Sequence, residues 1–277
     1  MPVRLLAIDI DGTLLDSQGK VPDDNVKAIQ RAVECGVAVT LVTGRSFPFA
    51  RPIADVLPKA ITLIVSNGAL VKALDGTTRR RWLLPRATAR IVLERTRSFR
   101  AAAAVVFDRA DEGHIVAEDM DWDHPNRRGY YARNRHRIRR SDPLEDALTD
   151  DPVQIMFNGS VTAMREIHEA LGRLAIDDRV EVLVTEYEER DFTLLDVLTK
   201  GCTKGTALAS LADDLGIAAH EVMAIGDNFN DVEMLEYAGV PVVMGNAVAG
   251  IKSRGWHLTA GHDAAGVARA VDTFILS

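Results

Sequence analysis

The sequence has only two cysteines, Cys35 and Cys202. That is too few for a disulfide framework, and their spacing matches no metal-binding motif. No segment approaches the ~20 consecutive apolar residues that a membrane-spanning helix needs. The N-terminal apolar run from Val3 is broken by Asp9 and Asp11 after about six residues, too soon for a secretion signal. Positive charge is not in excess either: 33 Lys and Arg stand against 40 Asp and Glu, a net charge of -7. Such a balance argues against general binding to phosphate backbones. A cytoplasmic protein that engages neither nucleic acid nor membrane is expected. Cys35 falls in an amphipathic segment and is expected to be a buried thiol.

What is present is ordinary globular material, 47% hydrophobic and 26% charged, ample for a large core. A length of 277 residues suggests one or two domains at roughly 150 residues each. The most informative stretch is VRLLAIDIDGTLL, Val3 to Leu15. Val3 to Ile8 has the branched, apolar composition of a strand buried on both faces. It ends in Asp9-Ile10-Asp11-Gly12-Thr13. On an extended chain, carboxylates at i and i+2 point to one side, about 6.6 Å apart. Two like charges at the end of a buried strand are costly without a cation or a proton beside them. Asp-Gly is also ordinary turn chemistry, but a hydrophobic strand running into DxDGT is far more specific. It points to magnesium-assisted phosphoryl transfer.

The same pattern recurs. A helix starting at Pro22-Asp23-Asp24, with Val26, Ile29 and Val33 on one face, leads to a buried strand, Val37 to Val42, that ends in Thr43-Gly44-Arg45. A helix from about Ser46 to Leu57 leads to a third strand, Ile61 to Val65, ending in Ser66-Asn67-Gly68. Strands alternating with helices form open parallel sheets, which bind ligands beyond the carboxyl ends of their strands. From Trp82 the character changes to strands two or three apart with single helices between, including a helix over roughly Pro85 to Phe99, as in an α+β module with an antiparallel sheet. The parallel pattern then resumes with a helix over Lys204 to Leu215, capped by Gly216. A strand over Val222 to Ile225 follows and ends in Gly226-Asp227-Asn228-Phe229-Asn230-Asp231. The expected fold is therefore α/β, a Rossmann-like parallel-sheet core over 1–81 and 191–277, interrupted by an inserted domain over 82–190.

Topology brings these strand ends together. Magnesium takes hard oxygen ligands in octahedral geometry, which Asp9, Asp11 and Asp227 can supply. A carboxylate can also attack phosphorus and split hydrolysis into two steps. Thr43 offers a hydroxyl, Gly44 a close backbone N–H and Lys204 a point charge for phosphate oxygens. Each has a plainer reading. Thr43-Gly44-Arg45 also reads as a strand-to-helix turn, Lys204 as a solvated lysine, and the Asp227–Asp231 run as an N-cap cluster. A cation at a helix start opposes the dipole, which favours a functional Lys204.

With motifs at Asp9-Ile10-Asp11-Gly12-Thr13, Thr43-Gly44-Arg45, Lys204-Gly205 and Gly226-Asp227-x-x-Asn230-Asp231, the chain resembles the haloacid dehalogenase-like superfamily over nearly its whole length. Ser66-Asn67-Gly68-Ala69 and Met244-Gly245-Asn246-Ala247 match its Cof-type phosphatases, which carry a large α/β cap. The resemblance implies Asp9 as nucleophile and Asp11 as general acid and then base. It implies Mg²⁺ on the Asp9 carboxylate, the Asp11 backbone carbonyl and Asp227, with Asp231 close by, and phosphate held by Thr43 and Lys204. Arg45, Asn230 and Asp231 are supporting residues. A proton donor two residues after the nucleophile suits an alkoxide leaving group, so a phosphatase of small phosphorylated metabolites is expected. A sugar phosphomutase and a non-catalytic binding module are the alternatives.

In the inserted domain, Asp119, Asp121 and Asp123 only superficially resemble a calcium loop, because His124 and Tyr130 stand where Gly and Glu are needed. The arginine run that follows is ordinarily a solvated face. Arg133 and Arg135 are its candidates for contacting a second anionic group on the substrate.

Overall fold

The computed structural model describes residues 2–110, 113–119, 135–188 and 191–276. The chain opens with β1 (Leu5–Asp9), α1 (Asp23–Glu34), β2 (Ala38–Val42), α2 (Phe47–Ala54) and β3 (Thr62–Val65), then a hairpin of β4 (Leu70–Ala73) and β5 (Thr78–Arg81). There follow α3 (Arg86–Arg95), β6 (Ala103–Val106), β7 (Ile115–Ala117), β8 (Ile138–Arg140), β9 (Gln154–Gly159), α4 (Val161–Gly172), β10 (Val180–Tyr187) and β11 (Phe192–Thr199). The last stretch is α5 (Lys204–Leu215), β12 (Val222–Gly226), α6 (Val232–Tyr237), β13 (Val240–Val243), α7 (Ala249–Lys252), β14 (His257–Leu258) and α8 (Gly266–Phe274). Two compact units result, Met1–Arg81 with Thr203–Ser277, and Trp82–Cys202.

In the first unit the eight strands run in the order β14-β13-β12-β1-β2-β3-β4-β5. From β14 to β3 all pairings are parallel. Every residue of β1 is buried, as its apolar composition requires for a strand covered on both faces. The chain winds outward from β1 in both directions, so β1 lies at the switch point where such sheets open a crevice beyond their carboxyl ends. The β4–β5 hairpin adds an antiparallel edge to a sheet expected to be parallel. Its outer strand, Thr-Arg-Arg-Arg, is largely exposed and carries no apolar alternation that would announce it.

In the second unit the order is β10-β11-β9-β6-β7-β8, antiparallel except for the parallel β7–β8 pair. Ile155, Phe157, Leu195 and Val197 pack against Leu93 of α3 and Ile167 of α4 in one buried cluster. Period-2 alternation along the strands and 3.6-residue spacing along the helices produce this face. The return to the first unit comes later than the boundary expected at 190–191. β11 is hydrogen-bonded between β10 and β9, so the second unit keeps it and runs on to Cys202. α3 is shorter than the helix expected to reach Phe99, because from Arg97 to Ala102 the chain tightens into 3₁₀ turns. Cys35 is exposed rather than buried: it lies just past the end of α1, off the buried stripe of Asn25, Ala28, Ile29 and Ala32. Among the described residues no helix is long and apolar enough to cross a membrane.

Asn25 is a buried polar residue on that stripe. Its amide donates to the Leu14 carbonyl (3.3 Å) and accepts from the Ala268 N–H (3.0 Å), joining α1 to the turn after β1 and to α8. Asn25→Ala would strand both backbone groups. It is expected to lower unfolding stability by roughly 2–6 kcal/mol, given about 1–3 kcal/mol per unsatisfied buried group, as read from denaturant midpoints; an unchanged midpoint would contradict this.

Candidate active site

The site grows from the ends of β1 and β12. β1 stops at Asp9, and the chain turns at once through Ile10–Leu14, closed by the Leu15 N–H on the Ile10 carbonyl (3.0 Å). Gly12 sits in this turn at φ +81, and a Cβ there would lie 2.3 Å from Asp227 Oδ2. Only glycine satisfies both the conformation and the close approach. The turn is then tied to its neighbours: Thr13 Oγ1 donates to Asp227 Oδ1 (3.2 Å), and Asn246 Nδ2 donates to the Gly12 carbonyl (2.8 Å).

Lys204 is the first residue of α5, whose start is fixed by reciprocal bonds between Thr203 and Thr206. Its side chain is 1% exposed, and Nζ lies 2.6 Å from Asp9 Oδ1 and 2.6 Å from Asp231 Oδ1. Asp231 is wholly buried, and its other oxygen accepts the backbone N–H groups of Asp227 (2.9 Å) and Asn228 (3.1 Å). One aspartate thus orients both the lysine and the loop that carries Asp227. The cation that opposed the dipole at a helix start is explained by its two carboxylate partners.

Ligand oxygens of Asp9, Asp227 and Asp231 all lie within 4.8 Å of one another. Three carboxylates surround one ammonium, so the cluster carries a surplus of negative charge in a place with little water. Burial and then the Asp231 charge push the Asp9 carboxyl well above its usual range, with Lys204 pulling the other way. Burial and Asp231 likewise raise Asp227 to about 7. Burial disfavours the charged Lys204, yet Asp231 and Asp9 outweigh it and hold the ammonium above the ordinary lysine range. A hard divalent cation bound by oxygen would relieve this surplus, so the donor set fits Mg²⁺ in charge and in chemistry.

Asp11 lies in the turn that follows β1. β1 ends at Asp9, two residues before it. The Asp11 carboxylate is held by Arg45 in a two-pronged pair, Nε to Oδ2 at 2.7 Å and Nη2 to Oδ1 at 2.6 Å. The acidic side chains close enough together to hold a metal are Asp9, Asp227 and Asp231, and both Asp231 oxygens are already engaged, one by Lys204 and one by backbone N–H groups. Thr43 is buried at the adjacent strand end, with Oγ1 accepting the Arg45 N–H (3.1 Å). Gly44 follows it, and Asn230 is partly buried in the turn between Asp227 and Asp231. The Asp227 contact of Thr13 and the Gly12 contact of Asn246 escaped sequence reasoning, although both residues lie in motifs it singled out. Of the two candidate specificity residues, Arg133 lies outside the described residues. Arg135 is exposed in the second unit, in a short turn before β8. Two arginines near it serve the backbone there: Arg137 donates to the Ala110 carbonyl and Arg140 to that of Glu118.

A family model for haloacid dehalogenase-like hydrolases matches residues 6–271. The chain belongs to this family. The hydrolase is 28% identical over 276 residues to a 5-amino-6-(5-phospho-D-ribitylamino)uracil phosphatase of Bacillus subtilis, covering 99% of this chain and 96% of the relative. It is 34% identical over 260 residues to an HMP-PP phosphatase of Serratia proteamaculans, covering 90% and 86%. The solved structure of a haloacid dehalogenase-like hydrolase from Bacteroides thetaiotaomicron superposes with a TM-score of 0.81 at 24% identity, over 98% and 99% of the two chains. That likeness shows the fold.

A carboxyl raised on folding contributes stability when protonated. For Asp227 that contribution is complete below the ordinary value of 3.8 and is lost as pH rises through about 7. Cation binding needs the deprotonated form. The gain in Tm on adding Mg²⁺ is therefore expected to be larger at about pH 8 than at about pH 5. An equal gain at both, measured by thermal unfolding, would contradict the charge surplus.

Proposed function

We propose that this hydrolase is a Mg²⁺-dependent phosphatase of small phosphorylated metabolites, acting through an aspartyl-phosphate on Asp9. The observation that carries the reading is the cluster of Asp9, Asp227 and Asp231 beside the buried Lys204, at the carboxyl edge of the sheet and near a buried Thr43. The substrate class draws on the relatives, whose names describe phosphatases acting on small phosphorylated metabolites.

In this reading an Asp9 carboxylate oxygen attacks phosphorus and the bond to the ester oxygen breaks. Asp11, freed from Arg45 and protonated when substrate enters, gives that oxygen its proton, so the alcohol leaves neutral. Asp11, now a carboxylate, takes a proton from water as the water attacks the phosphorus of the aspartyl-phosphate. Orthophosphate departs and Asp9 is restored. Lys204 holds the nucleophile in place through its 2.6 Å contact, and Thr43, the Gly44 N–H and Lys204 receive the phosphoryl oxygens. Mg²⁺, held by the carboxylates of Asp9 and Asp227 and the Asp11 carbonyl, with Asp231 orienting the loop, would offset charge on the phosphoryl group. Positioning and charge neutralisation are the larger part of phosphoryl-transfer catalysis. The inserted unit would serve as the cap that selects the leaving group.

Phosphate release should be measured across a panel of phosphorylated metabolites. Asp9→Asn is expected to lower kcat by roughly 10⁴-fold or more, as loss of a nucleophile does elsewhere, and chelation of Mg²⁺ to abolish release. Asp11→Asn is expected to cost alkyl phosphates about 10²–10⁴-fold, the usual worth of a general acid, and 4-nitrophenyl phosphate much less, since that leaving group needs no proton. Full turnover in Asp9→Asn would contradict the reading. Isomerised sugar phosphate without free phosphate would indicate a mutase.

A further inference from the structure

Ser66-Asn67-Gly68 stands apart from the chemistry assigned so far, yet it is the most unusual backbone in the first unit. Three successive residues have positive φ: Ser66 at 51, Asn67 at 53 and Gly68 at 106. Two of them are not glycine, and all three are buried. Left-handed backbone is unfavourable for residues that carry a Cβ, and it persists where the surroundings over-determine it, often at functional sites.

What surrounds this turn is the phosphate-binding apparatus on two sides. On one side, the Asn67 N–H donates to the Thr43 carbonyl (3.0 Å) and the Ser66 N–H donates to the Arg45 carbonyl (2.9 Å). The two carbonyls flanking Gly44 are thus both bound by the turn. The Asn67 side chain lies over Gly44 itself, where a Cβ would come 3.0 Å from Asn67 Oδ1. On the other side, a Cβ on Gly68 would lie 2.2 Å from the Thr203 carbonyl oxygen and 3.2 Å from the Lys204 backbone nitrogen. The turn therefore abuts the peptide that precedes Lys204, and at φ 106 it can do so only as glycine.

We propose that Ser66-Asn67-Gly68 is a positioning clamp for phosphate binding. It holds the Thr43–Arg45 loop and the first turn of α5 at a fixed separation, so that Thr43 and Lys204 converge on one phosphoryl group. The clamp touches neither substrate nor reacting atoms, and it acts through the residues on either side. This inference rests on the reading of Thr43 and Lys204 as the groups that hold phosphate. It also accounts for strained backbone at the end of β3, a strand that supplies no reacting side chain.

The test is orthophosphate inhibition of 4-nitrophenyl phosphate hydrolysis at saturating Mg²⁺, well below the Tm of each variant. Gly68→Ala pushes a methyl against the Thr203 carbonyl and is expected to lower kcat/KM by about 100-fold, the cost of ~1 Å misplacement of a positioning group. The Ki for orthophosphate should rise with it. Asn67→Gly keeps the positive φ without strain, spares the fold and removes the side chain over Gly44, so it tests the clamp even if Gly68→Ala does not fold. It is expected to raise Ki in the same direction while Tm holds. Thr43→Val, measured beside it, separates two kinds of failure. If Thr43→Val weakens orthophosphate and Asn67→Gly leaves both Ki and kcat/KM unchanged, the clamp alone is wrong. If Thr43→Val binds orthophosphate like the wild type, the phosphate-holding role of Thr43 fails and the clamp fails with it.

Discussion

The Lys204 ammonium, nearly sealed from water and in contact with Asp9 and Asp231 at 2.6 Å, is the interaction on which the rest of the first unit depends. Taking such ions out of water costs several kcal/mol each, and their mutual attraction offsets this only with good geometry and further hydrogen bonds. Those conditions are met here through elements far apart in sequence. The Thr203–Thr206 capping bonds fix the start of α5, and Asp231 is anchored by two backbone N–H groups. Even so, one ammonium does not balance three carboxylates. The residual negative charge is poorly suited to stability alone and well suited to a cation and a phosphoryl group.

The sheet supplies the convergence. Because β1 is the strand from which the chain winds in both directions, the ends of β1, β2, β3 and β12 open on one edge. Each end contributes a short polar turn: Asp9 with Thr13, Thr43 with Arg45, Ser66 to Gly68, and Asp227 with Asp231. The turns also bind one another. Gly12 admits the Asp227 side chain, Arg45 grips Asp11, and Asn246 holds the Gly12 carbonyl. The parts of the site are thus cross-linked to one another at several points.

Much of this was legible beforehand, for identifiable reasons. The buried strands announce themselves as short apolar runs, and the polar tripeptides at their ends mark a single ligand-binding edge. α5 could be bounded from Lys204 to Leu215 because an apolar stripe ends in Gly216, which takes the left-handed cap at φ 63. The β4–β5 hairpin was not legible: strand β5 is exposed Thr-Arg-Arg-Arg, held by pairing with β4 rather than by its own pattern. The Arg45 pairing of Asp11 is not legible in the sequence, because it forms between the ends of β1 and β2. Spacing places the acidic Asp231 near Asp227, but only the tertiary fold brings its Oδ1 against Lys204 while Oδ2 holds the backbone. Cys35 illustrates the same limit, since one residue past the end of a helix is enough to leave the buried face.

In the proposed reaction the Asp9 carboxylate, held against Lys204, receives phosphorus. Rapid quenching during turnover, borohydride reduction of acyl phosphate and peptide mass spectrometry test it most directly. Reduction converts a phosphorylated aspartate to homoserine. Homoserine is expected at position 9 and at no other acidic residue. Homoserine at a different position, or none while phosphate is released under the same conditions, would contradict this.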